Sequence, residues 1–283
     1  MKHGNRILEP IEDPLSPHAL FELSLFSTCI FVFSALLMQF ILTLYTAFFL
    51  RIFSLSFQYR LFDIRFLTID STKWSETQIY IVFGSGPLIL SAIGLKLLSV
   101  LKKNIMAGWK TKLVLTWMAF LMVHALPCGI VAGVFFFDSF GMAFQWLVSS
   151  YLIRGGIALL VLIFMLFFNR FWLMMFLKAS YSAAFLDYND NHKLFLKNVY
   201  FKPWVYGLII LMLFNLPFNN LYWPAFLLSL GYLAIPALNQ SLVFLDLFIT
   251  KSEKMIFTTR SQIWYIAVVL ALIWIAGNLT INF

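Results

Sequence analysis

The run from Leu113 to Phe137 constrains this chain more than any other stretch: about 25 residues without Lys, Arg, Asp or Glu, closed by Asp138. As an α-helix rising about 1.5 Å per residue, it is long enough to cross a hydrocarbon core of roughly 30 Å. Within it Ala125, Gly129 and Gly133 recur every four residues. One helical stripe therefore carries almost no side chain, and a second helix can approach it closely, which is how spans associate in lipid. His124 lies beside that stripe near mid-span, with Pro127 one turn on. Asp138 marks the exit from the membrane, and Phe140, Met142, Phe144 and Trp146 follow it.

The rest of the chain repeats this character. Charged residues are 11% of the sequence, against about 25% in an ordinary globular domain. The apolar residues come in long blocks and not in a 3.6 or 2.0 period, so most segments lack the polar face of a water-soluble helix. The expected fold is an all-α polytopic transmembrane bundle of about seven spans. They fall near 23–50, 79–100, 113–137, 157–177, 204–218, 223–248 and 263–279, after a polar amino-terminal arm over 1–22. Residues 23–283 then form one membrane domain. The first apolar run is too long for a signal-peptide core and has no small-residue cleavage site, so it is expected to stay as a span. The non-spanning stretches are too short for a nucleotide-binding or receptor domain. Residues 59–66 are rich in strand formers, residues 137–154 read as an interfacial segment, and 178–202 read as a polar connection.

The net charge of +8 is distributed by position. With the amino terminus inside, Lys2, Arg6 and the basic loops around Lys102–Lys112, Lys178–Lys202 and Lys251–Arg260 fall in the cytoplasm. Arg51, Arg60, Arg65, Lys73 and Arg154 fall outside. The asymmetry favours amino terminus in and carboxyl terminus out. Basic residues placed beside spans serve orientation and anionic lipid head groups, and no nucleic-acid partner is expected. Cys29 and Cys128 both fall inside apolar spans, where free thiols behave as small hydrophobes.

Patterns for catalysis are absent from the sequence. His3, His18, His124 and His192 include no pair at ligand spacing, and HExxH, GxxxxGK[ST] and GxSxG do not occur. No catalytic residue, metal or other cofactor is expected. An ionisable group at mid-membrane is a functional candidate by default. His124 is that candidate, set against the plainer reading of a hydrogen-bonded packing histidine. Asn239 and Gln240, beyond Pro236 in the sixth span, mark a break of the kind ion-coupled carriers use, or a proline kink satisfied by neighbouring amides. Asp138 completes the candidate polar set. The leading expectation is a non-enzymatic accessory or scaffold subunit of a membrane complex. Its partners would be the lipid bilayer and other membrane subunits or further copies of itself, in the cytoplasmic (inner) membrane of a bacterium. The alternative is a transporter or channel with its path between the third and sixth spans.

The layout from Leu23 to Trp146 resembles, in degenerate form, the core of the site-2-protease-like membrane metalloproteases. Gly86-Pro87 matches the Gly-Pro element of that family, Tyr59 to Asp70 sits where its membrane-associated strands lie, and Asp138-Ser139-Phe140-Gly141 is a loose counterpart of its acidic motif. The zinc-binding segment would fall near Leu44 to Phe53, LYTAFFLRIF, which holds none of the ligands. The resemblance implies a protease-like core without hydrolysis.

Overall fold

The computed structural model describes residues 16–60, 63–66, 74–103, 108–180, 189–215, 225–230 and 280–282. The first helix, α1, runs over Pro17–Ile52. Ser16 caps it, its hydroxyl accepting the Ala19 N–H at 3.2 Å, and Pro17 fills the first helical position, where a missing N–H leaves nothing unsatisfied. The helix thus starts inside the stretch expected as a polar arm. A Ser-Pro start signal decides where a helix begins, whereas hydropathy reports only where it enters lipid.

After α1 the chain turns through Ser54, at a φ of 55°, into strands β1 (Phe57–Arg60) and β2 (Asp63–Phe66). They pair antiparallel with Phe57 opposite Phe66 and Arg60 opposite Asp63. Strand β3 (Thr280–Asn282), from the far end of the chain, pairs antiparallel with the other edge of β1, Tyr59 opposite Ile281. The sheet order is β2-β1-β3. The fold is mostly helical, but the all-α expectation is corrected by this sheet. Three residues of a short tail give almost no sequence signal, because a strand that brief is specified by its partner.

Helix α2 (Glu76–Ile79) opens with a capping box in which Ser75 and Gln78 satisfy each other's backbone N–H groups. A π-helical turn over Tyr80–Gly84 leads into α3 (Ser85–Lys103). The third expected span is two helices, α4 (Trp109–Val123) and α5 (Ala125–Phe135), bent by 45° at His124. The segment expected at the interface folds as α6 (Phe140–Leu147), and α7 covers Tyr151–Leu177. Helix α8 (Asn189–Leu196), a π turn over Lys197–Phe201, and α9 (Lys202–Asn215) continue one another. The polar connection expected over 178–202 is therefore helical from Asn189 on. Phe195, Leu196, Val199 and Tyr200 are buried there while Lys193 and Lys197 are exposed, a one-sided pattern that a hydropathy average conceals.

Among the described residues three helices are long and apolar enough to cross a membrane, and the bent α4–α5 pair makes a fourth. Residues 225–230, at the start of the expected sixth span, are helical. The remainder of that span, with Pro236, Asn239 and Gln240, and the seventh lie outside the described residues. The main core joins α1, α4, α7 and the α8–α9 stretch around Trp117, whose ring meets Phe31 at 4.9 Å, Phe176 at 4.7 Å and Tyr200 at 5.7 Å between centroids. Beneath the sheet a second cluster gathers Leu50, Phe57, Ile79, Val82, Phe83 and Ala143. The outer side of α7 is open, with Leu160, Phe164 and Phe167 exposed.

Candidate functional site

The α4–α5 bend follows from one residue. Pro127 has no N–H, so the Val123 carbonyl loses the donor that an α-helix would supply four residues on. A free carbonyl inside lipid must find another partner. Ser91 of α3 provides it: its hydroxyl lies 3.2 Å from both the Met122 and Val123 carbonyl oxygens and shares one hydrogen between them. The same oxygen accepts the Leu126 N–H at 3.2 Å, which the bend has also released. Gly94, one turn along α3, makes the approach possible. A Cβ there would stand 2.7 Å from the Val123 nitrogen and 2.8 Å from the Met122 Cβ.

His124 occupies the joint itself, at φ −84° and ψ 0°, and is 3% exposed. Its Nδ1 lies 2.7 Å from the Phe120 carbonyl oxygen, which also accepts the His124 backbone N–H at 3.2 Å. A carbonyl only accepts, so the hydrogen of this bond sits on Nδ1. The ring packs against Phe120, 4.5 Å between centroids, and against Trp172 of α7 at 5.5 Å. Below it the Trp117 indole N–H donates to the Ser27 hydroxyl at 2.8 Å, and Ser27 donates to the Val199 carbonyl at 2.6 Å. These two bonds tie α1, α4 and the π turn before α9 together within a dry core.

Ala125, Gly129 and Gly133 are all buried. Gly133 meets α6: a Cβ on it would lie 2.9 Å from the Gly141 Cα. Gln145 of α6 reaches back and donates to the Gly133 carbonyl at 3.0 Å, capping the end of α5. Cys128, one turn after His124, shares the core with Phe226, Leu227 and Leu230 and lies near Ser229, whose hydroxyl donates to the Phe226 carbonyl at 2.6 Å; the third span is thus beside the start of the sixth. Asp138 sits in the α5–α6 turn, half-buried, its carboxylate accepting the Ser139 N–H at 2.7 Å. Burial pushes its pKa above the ordinary carboxylate value, and the Ser139 hydrogen bonds partly oppose that. Ser139 itself takes a φ of 49°, unusual for a residue with a side chain.

Three separated segments also converge beneath the sheet. Gly86 packs on α1, where a Cβ would meet Leu42 Cδ2 at 3.1 Å and Tyr45 Cδ1 at 3.2 Å. The Ser85 hydroxyl donates to the Ile81 carbonyl, so the short bond between Ser85 and Tyr45 must take its hydrogen from the tyrosine. A Cβ on Gly84 would meet the Ala143 Cβ of α6 at 3.5 Å, and Ala47 and Leu50 of α1, with Phe53 just beyond its end, close the cluster with Met142. Hence residues 47–53, the stretch Ile79–Phe83 and the start of α6 come together around apolar side chains, while Gly86 packs separately on Leu42 and Tyr45. Among the described residues no three His, Cys, Asp or Glu gather closely enough to hold a metal ion.

Sequence reading singled out His124 and passed over Ser91, Ser27 and Trp117. A signal for Ser91 was available: a proline inside a span frees a known carbonyl, so a hydroxyl on a neighbouring span is required. No family model, curated protein or solved structure matches this chain.

Proposed function

We propose that this protein is a non-enzymatic integral membrane protein, an accessory or scaffold subunit of a larger membrane complex built on a protease-like core without its metal. The observation that carries this reading is the filling of the mid-span region. His124 is bonded to the backbone one turn earlier and enclosed by Phe120 and Trp172, so its place is taken up by packing. The apolar cluster of Ala47, Leu50, Phe83 and Ala143, drawn from α1, the turn at Tyr80–Gly84 and α6, supports a structural role for this region as well. The exposed apolar side of α7 offers a lateral surface for a further membrane subunit. The proposed setting is the cytoplasmic membrane of a bacterium, with about seven spans and the amino terminus inside.

Gentle solubilisation followed by identification of co-purifying chains tests the reading. Stoichiometric membrane partners are expected. A lone monomer that moves a solute across vesicles overturns it. That second reading, a carrier or channel between the third and sixth spans, is favoured by the Cys128–Ser229 contact, which sets those spans side by side. It requires transport to be lost in His124→Phe, a variant that keeps the ring packing.

A further inference from the structure

A cavity of about 510 Å³ lies between α3, α5, α6 and α7. Leu88, Leu126, Ile130, Phe144, Leu147 and Ile157 form its wall. Its polar lining includes Ser85, whose hydroxyl is already engaged by Ile81 and Tyr45. The rim residues Leu88 and Leu147 are 53% and 69% exposed, so the cavity opens outward between α6 and α3, a helix long and apolar enough to cross a membrane.

A cation stands one helical turn from the wall that α7 contributes. Arg154 follows Val148 of the wall and stands one turn before Ile157 on the same side of α7. Its guanidinium lies over the Tyr151 ring at 5.7 Å, the level at which interfacial aromatics and head groups meet. The Nε atom is buried with no hydrogen-bond partner, and among the described residues no carboxylate pairs with Arg154. The carboxylate of Asp138, in the preceding turn, is taken by the Ser139 N–H. The first turn of α7 adds N–H groups that the Ser150 side chain does not cap, and Gly155 and Gly156 leave open space beside them.

We propose that this cavity holds an acyl chain of an anionic phospholipid whose phosphate is bound by Arg154. The apolar wall takes the chain, and the planar guanidinium gives the phosphate two parallel donors. Charge complementarity selects the occupant: a zwitterionic lipid fills the wall equally well but brings its own cation to Arg154. The site is independent of whether the protein acts as a scaffold or as a carrier.

The test uses the full chain reconstituted in vesicles of equal phosphatidylglycerol and phosphatidylcholine with identical acyl chains, then extracted in mild detergent. Retained lipid is quantified by mass spectrometry. Phosphatidylglycerol is expected to be enriched about fivefold, the effect of one basic residue near a membrane surface. Arg154→Gln should bring the two lipids to parity, and Ile130→Phe, which fills the wall, should lower both. Should Ile130→Phe fail to fold, Leu88→Trp blocks the mouth from an exposed position and should do the same. Inorganic phosphate alone should leave retention unchanged. Equal retention of the two lipids by the parent protein overturns the proposal, as does a ratio unaltered in Arg154→Gln. Displacement of the lipid by inorganic phosphate, or cross-linking of two copies through Leu88→Cys, overturns it as well.

Discussion

At the scale of single residues, Ser91 and Gly94 hold the bend more than His124 does. Ser91→Ala orphans the Met122 and Val123 carbonyls and the Leu126 N–H together, so a loss of about 1–2 kcal/mol is expected. His124→Phe keeps the contacts with Phe120 and Trp172 and removes one hydrogen bond, an interaction that averages about 0.6 kcal/mol in membranes. Gly94→Leu drives a side chain into the Val123 backbone and should be the most destabilising of the three. Thermal unfolding in one detergent ranks them, and His124→Phe falling lowest would contradict the assignment. Asp138 makes a prediction of opposite character. Its folded pKa is raised above the ordinary 3.8, so the stability it contributes is complete below that value and is lost as pH rises through the folded pKa. Asp138→Asn, which can still accept the Ser139 N–H, should match the parent in acid and exceed it in stability at neutral pH. Melting curves across that range decide the point, and a variant less stable at neutral pH would be inconsistent with it.

At the scale of elements, the pairing of α1, α4 and α9 depends on small residues set opposite rings. Gly207 of α9 faces the Phe31 ring so closely that any Cβ would overlap it. Gly207→Leu should therefore separate α9 from α1 and strip the Trp117–Ser27–Val199 bonds at the same time. Tryptophan emission reports this, since Trp117 is fully buried in the parent and its exposure should shift the spectrum to the red. An unchanged spectrum with unchanged stability would mean that the two helices do not meet there.

At the scale of the whole molecule, the β1–β3 pairing has a topological consequence. Two strands of one sheet lie on the same side of a membrane, so an even number of crossings must separate Arg60 from Thr280. A Gln58→Cys, Asn282→Cys double variant should cross-link under mild oxidation, because those positions stand opposite each other. Reporters at the carboxyl terminus and in residues 53–56 should face the same side, opposite the amino terminus. Reporters found on different sides would remove β3 from the sheet.

Sequence alone was enough to mark stretches long and apolar enough to cross a membrane, among them α1, α3, the α4–α5 pair and α7, because hydrocarbon imposes a length and a polarity that a run such as Leu113–Phe137 either meets or does not. The missing N–H of Pro127 is a local fact of the sequence, but the 45° bend between α4 and α5 emerged only in the structure. Tertiary structure decided which partner answers each local defect. The carbonyl freed by Pro127 is satisfied by Ser91, 32 residues from Val123, and the tail at Thr280–Asn282 is a strand because β1 offers an edge. Likewise the helix from Asn189 stands because one side of it is buried against α1 and α7, and neither its polar average nor its neighbours in sequence encode that contact. Periodicity and hydropathy are properties of a segment, whereas a hydrogen bond across 32 residues or a cavity between four helices is a property of packing.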